Sequence, residues 1–382
     1  MFEPQGRVHG PLYFHREVVT LTLLTGLAAV LFIGVTALSQ LYHAQQGALA
    51  DRWAARGTSD LNAGRFMQAA GDFRTALRYS RDSYSSELGL AEALIGEKRI
   101  PEAETYLIAL WEQQPENGVV NRSLARIAAG KGDTRNALRY YHNAIYAHWT
   151  GDPERERRST RWELIKYLLS TKATAPAQSE LISLAAEVGD DPAQQVEMGR
   201  YFLKVQDGDH ALTAFRLRLQ GSPHDAEALA GAGTAAFEMG NYELAEGYLR
   251  SAINEAPGDR DSAALLETTE QVLRLDPFRR QISDAERDQA VEGAFEVAGG
   301  RLKSCLAAAN SQQTAEAPET LEQAWDKLKP QVTDRSLRRN QDIVNQSMNL
   351  AFAIEREAGT RCGAGTPADA ALLLISKLHE GS

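Results

Sequence analysis

The stretch GNYELAEGYLRSAINEAPGD, residues 240–259, decides how this chain is read. Ala245, Leu249 and Ala252 follow one another at steps of four and three, on one face of a helix, and Pro257 ends it. These offsets recur. Ala69, Ala103 and Ala137 stand 34 residues apart; Phe73, Leu107 and Tyr141 follow them by four, and Ala76, Leu110 and Ala144 by three more. A second series runs through Ala177, Ala211 and Ala245, again 34 apart, with Leu181, Phe215 and Leu249 four residues on. The step from Ala137 to Ala177 is 40, one period plus six residues, and GDPERER (151–157) is where the insertion is expected. Pro115, Pro223 and Pro257 hold the same late position.

Each period also holds an earlier helix. Gly57, Ala91, Ala125, Gly199 and Gly233 lie twelve residues before the alanines, and Gly64, Gly132 and Gly240-Asn241 mark the turn between the two helices. Small residues allow two helices to cross closely, and the large residue at Phe73, Tyr141 or Phe215 fills the gap toward the next pair. One such pair cannot bury its apolar face; a stack can. The pattern closely resembles the tetratricopeptide repeat. Trp53, Gly57, Gly64, Phe66, Ala69, Phe73 and Ala76 carry the resemblance in the first unit, and Gly233, Tyr242, Ala245, Leu249, Ala252 and Pro257 in the sixth. Six units are expected over residues 50–259; the fourth departs most, with Ile165 at the small position. A further helix within 260–278, with Leu265, Leu266, Thr269, Val272 and Leu273 on one face, is read as the cap of the stack. The expected fold is therefore all-α, with a solenoid and its cap over 50–277.

The resemblance implies a binding surface. In this family the first helix of each unit lines a concave groove, through its second, fifth, ninth, twelfth and thirteenth positions. Those positions include Arg122 and Arg126 in the third unit, Trp162 and Lys166 in the fourth, and Arg200 and Lys204 in the fifth. They form a basic stripe with one aromatic inside an acidic repeat region, so the expected partner is an extended acidic protein segment. The Lys/Asn clamp with which some relatives hold a terminal carboxylate is absent, since Ala54 and Thr58 occupy its places in the first unit. The alternative is that these charges are simply solvated.

One segment breaks the soluble pattern. VVTLTLLTGLAAVLFIGVTAL, residues 18–38, has no charge over 21 positions, and as a helix it spans about 30 Å, the thickness of a bilayer's hydrocarbon core. It is read as an uncleaved transmembrane anchor between a tail at 1–17 and a juxtamembrane segment at 39–49. The alternative is a signal peptide cut near Ala48-Leu49-Ala50, which lies far beyond the apolar run. Arg7 and Arg16 precede the span, and no Lys or Arg follows until Arg52, so the N-terminus is expected in the cytoplasm and the bulk outside. That implies a single-pass inner-membrane protein facing the periplasm.

Residues 278–382 lose the period and are expected to form a separate small helical domain, of no recognised family, that packs on the solenoid end. Ser283-Asp284-Ala285-Glu286 opens one helix, NSQQTAEAPET (310–320) reads as a mobile loop, and helices follow around 320–329 and 334–358. Thr366-Pro367-Ala368-Asp369 caps the last. Cys305 and Cys362, the only cysteines, each fall near a helix end, and a disulfide between them is expected if the domain is extracytoplasmic; the alternative is two unpaired buried thiols.

No motif for chemistry emerges. GAGTAA (231–236) has dinucleotide-loop spacing but lies inside a repeat helix, without the strand that motif needs. The histidines make no H-x-x-x-H pair; His142 and His148 are six apart, on different faces. The net charge of −10 argues against non-specific nucleic-acid binding. No catalytic, metal or cofactor site and no small-molecule substrate is expected. The leading function is a membrane-anchored interaction scaffold. The alternatives are a constitutive structural subunit of a larger envelope complex and, more distantly, an enzyme with a site in the C-terminal domain.

Overall fold

A computed structural model describes residues 12–189, 191–309 and 318–379. Arg7 and positions 310–317 of the expected loop lie outside them. No strand occurs among the described residues beyond one isolated bridge, Asn117 to His148. The chain divides into two compact units, residues 1–167 and 168–382.

The first unit opens with one helix, α1 (Leu12–Asn62), 51 residues long and so about 75 Å at 1.5 Å per residue. It contains a window long and apolar enough to cross a membrane, none of it buried. The hydroxyls of Thr22 and Thr36 bond back to carbonyls three and four residues earlier, so neither leaves a bare polar group in the apolar stretch. There is no break between this stretch and the first repeat. The last turns of α1 are the first repeat's inner helix, paired with α2 (Phe66–Tyr79). Then come α3 (Tyr84–Gly96), α4 (Ile100–Gln113), α5 (Gly118–Gly130), α6 (Thr134–Ile145) and α7 (Pro153–Ser170), which begins in this unit.

The expected packing positions are the core. Ala69, Ala103, Ala137, Leu107 and Leu110 are wholly buried, and Phe73 nearly so. The Phe73 ring is wedged between α1 and α3: a Cβ on Gly57 would lie 3.1 Å from it, and one on Gly89 would collide with it. The insertion lies where expected. A step of 40 from Gly118 would start the fourth inner helix at 158, and α7 starts at Pro153, so the added residues form an extra helical turn. The chain before it folds back. His148 N–H donates to Glu116 O at 2.9 Å, Gly118 N–H donates to His148 O at 3.1 Å, and Trp149 Nε1 donates to Ala144 O at 2.8 Å.

The second unit continues with α8 (Thr174–Val188), α9 (Pro192–Lys204), α10 (Gly208–Gly221), α11 (Ala226–Glu238), α12 (Tyr242–Glu255) and α13 (Arg260–Leu275). Phe215 repeats the role of Phe73; a Cβ on Gly199 would come 2.6 Å from its ring. Across both units the turn within each repeat uses one left-handed residue. These are Gly64, Lys98, Gly132, Lys172, Gln206 and Gly240, with φ between 60° and 75°. The turn of the fourth repeat is thus built around Lys172.

The C-terminal helices are α14 (Asp284–Ala309), α15 (Pro318–Leu328), α16 (Asp334–Arg339), α17 (Gln341–Cys362) and α18 (Pro367–His379). The single helix expected over 334–358 is two helices. Asn340 breaks it, because its side chain accepts the Asp342 N–H and caps α17. The expected capping box of Ser283 with Glu286 forms, and the expected cap at Thr366 is a reciprocal pair with Asp369. α13 does not end the stack alone: α18 packs along it. Tyr242, Val272 and Leu275 share one apolar cluster with Val291, Phe295, Trp325, Met348 and Leu372, so the core runs across position 278. The Cys305 and Cys362 sulfurs are bonded, with Cα atoms 5.7 Å apart, joining α14 to the end of α17.

Candidate protein-binding groove

In the first unit the inner helices α3, α5 and α7 bring charged residues together. Arg122 and Arg126 stand four apart on α5, one turn of the same face. Arg122 Nη1 lies 2.5 Å from Glu156 Oε2 on the added turn of α7, and its guanidinium sits 4.7 Å from the Trp149 ring centre. Arg126 binds Glu163 with both fork arms, Nε at 2.8 Å and Nη2 at 2.5 Å. Glu92 on α3 completes the group. Burial pushes its carboxyl above the usual range, while Arg122 and Arg126 pull it back. Tyr141, beneath them, is pushed up to about 12 by burial and by Glu163. Lys166 lies with its ammonium 5.7 Å from the Trp162 ring centre.

In the second unit Arg200 on α9 pairs with Glu227 on α11, and the Lys204 ammonium lies 4.8 Å from the Tyr201 ring centre. Val196, Glu197, Arg200, Tyr201, Lys204 and Glu227 line a cavity of about 740 Å³.

The structure therefore gathers Arg122, Arg126, Trp162 and Lys166 in one unit, and Arg200 and Lys204 in the other. It also supplies what sequence reasoning missed, a set of carboxylates that meets the arginines. Glu156, Glu163 and Glu227 each reach back from a later inner helix, so the arginines act as braces between repeats as well as surface charges. Glu92 was detectable: Arg126 minus one period of 34 is position 92. Glu156 was not, because it lies in the insertion, outside the register.

Family models of the tetratricopeptide repeat match residues 61–127 and 196–260. Those two segments are tetratricopeptide repeats. No curated protein matches the chain. Among solved structures it is similar to YrrB, a tetratricopeptide-repeat protein with an unusual peptide-binding site, at 17% identity, over 50% of this chain and 95% of that one, with a TM-score of 0.40. It is similar to PilF of Pseudomonas aeruginosa at 18% identity, over 57% and 97% of the two chains, with a TM-score of 0.39. It is also similar to the TPR2AB domain of yeast Sti1, solved with pHSP90, at 19% identity, over 64% and 89%, with a TM-score of 0.28.

Proposed function

We propose that this tetratricopeptide-repeat protein is a membrane-anchored scaffold that holds an extended, carboxylate-bearing segment of another protein against its inner helices. The observation that carries this reading is the unbroken run of α1 from the apolar stretch into the first repeat. Such a helix fixes the solenoid close to the bilayer. The 11 residues from 39 to 49 amount to about 17 Å of helix. The Arg7/Arg16 bias supports a cytoplasmic N-terminus with the repeats on the far side, where a Cys305–Cys362 bond persists. In the groove, the partner's carboxylates replace Glu156, Glu163 and Glu227 on the arginines, exchanging an internal ion pair for an intermolecular one. Because the exchanged pairs are partly exposed, this step selects partners more than it adds affinity.

A charge swap separates bracing from binding. Arg126→Glu alone removes the brace and the partner contact together. Arg126→Glu with Glu163→Arg restores the brace with the polarity of the site reversed. Partner capture from detergent extracts is expected to fall in both variants, while thermal stability recovers in the double. If the double variant captures partner as wild type does, Arg126 is a brace only and the groove assignment fails.

A further inference from the structure

A cavity of about 680 Å³ in the C-terminal helices holds a pair of carboxyl groups that the groove does not use. Arg301 of α14, Glu355 and Gly359 of α17, the glycine-bearing turn at 363–365, and Asp369 and Leu373 of α18 form its walls. Glu355 is 1% exposed, and its Oε1 has no hydrogen-bond partner among the described residues. Asp369 is 6% exposed and spends Oδ2 on the Thr366 N–H and hydroxyl. The charged groups around Glu355 come from three elements. Arg301 reaches it from α14 and also donates through Nη2 to Gly363 O; Asp369 faces it from α18; Arg356, on α17 itself, donates to Ser376 Oγ at 3.0 Å. A buried carboxyl with a bare oxygen on a cavity wall is the mark of a site built for a donor.

The charge balance says which donor. Two carboxyls and two guanidiniums, Arg301 and Arg356, line the cavity, with Arg356 held on Ser376 Oγ, and burial together with Asp369 pushes Glu355 up to about 8. At neutral pH the pair therefore keeps one proton. A primary ammonium carries the same charge as that proton and offers three N–H donors where the proton offers one. It can replace the proton with no change in the charge of the cavity.

We propose that this cavity binds a small molecule bearing a primary ammonium, which takes the place of the proton held between Glu355 and Asp369, with its apolar remainder against Leu373. Binding is an exchange: the ammonium enters, and one proton leaves Glu355 for solvent. The test is isothermal titration of the full-length chain in detergent with ethylamine hydrochloride, in phosphate and in MOPS at pH 7. Saturable binding is expected, with a heat difference between buffers that corresponds to about one proton released per ethylamine bound. Tetramethylammonium, a cation without N–H groups, is expected to bind at least tenfold more weakly. Glu355→Gln keeps the shape and is expected to lose both the affinity and the proton release. Independently of that variant, wild-type affinity for ethylamine should rise between pH 6 and 8, by up to about tenfold per pH unit. Absence of saturable binding, equal binding of the two cations, wild-type affinity in Glu355→Gln, or a flat pH profile would each overturn the proposal.

Discussion

Replacing Lys98, Lys172 and Gln206 by glycine is expected to stabilise the repeats. All three adopt φ of 60–62° at the turn position where the other repeats use Gly64, Gly132 and Gly240. An L-residue with a Cβ pays about 1–2 kcal/mol for that conformation. Glycine avoids this cost but gives the unfolded chain more freedom, which returns roughly 0.5–1 kcal/mol. The net gain is roughly 0.5–1 kcal/mol per site, or about 1.5–3 kcal/mol for the triple variant if the sites add. For a cooperative unit of this size each kcal/mol moves the unfolding midpoint by about 2–4 °C. The assay is thermal unfolding of the detergent-solubilised chain followed by far-ultraviolet circular dichroism, on each single variant and on the triple. The converse is Gly64→Ala and Gly132→Ala. No atom lies within 4 Å of a Cβ built at either place, so the expected loss of about 1 kcal/mol is conformational alone. Glycine variants that lower the midpoint, or alanine variants that leave it unchanged, would refute the reasoning.

Three further outcomes follow from the packing and the charges. Phe73→Ala and Phe215→Ala each empty a ring slot between neighbouring repeats and should cost about 3–5 kcal/mol in denaturant unfolding, whereas exposed Met67→Ala should be near neutral. Glu355 is raised in the folded state from 4.5 to about 8. Its contribution is therefore fully present below about pH 4.5 and is lost as pH rises through 8; midpoints at pH 5 and pH 9 should differ in wild type and converge in Glu355→Gln. Reduction of the Cys305–Cys362 bond, which spans 57 residues, should cost about 2–4 kcal/mol; mass spectrometry of non-reduced protein that finds two alkylatable thiols would remove the bond and weaken the extracytoplasmic placement.

Most of the solenoid was legible because its determinants are local and periodic. A step of 34 places Ala69, Phe73 and Ala76 on one face in every period, and those faces have no other way to leave water. The turns were half legible: three announce themselves with glycine, while Lys98, Lys172 and Gln206 adopt the same backbone because the helices on either side dictate it. Which helix covers the end of the stack was not legible. α18 lies along α13 across more than a hundred positions of chain, Asp276 to His379, and no periodicity reports a contact at that separation. The cations of the proposed groove were legible but their ion pairs were not, since pairing depends on where Glu156, Glu163 and Glu227 project in space. The buried Glu355 gave no signal at all; in sequence it is one acidic residue in a helix, and only the approach of Asp369 and Arg301 makes it unusual.

The central claim, a scaffold that holds its partner along the inner helices at a membrane, is tested most directly by photo-cross-linking in living cells. A photoreactive amino acid is placed at Lys166 and at Lys204, both exposed on inner helices, and at exposed Arg78 on the outer helix α2 as the control. The account predicts that the membrane fraction yields the same cross-linked partner from Lys166 and Lys204 and none from Arg78. Cross-links from Arg78 alone, or protein recovered only from the soluble fraction, would contradict it.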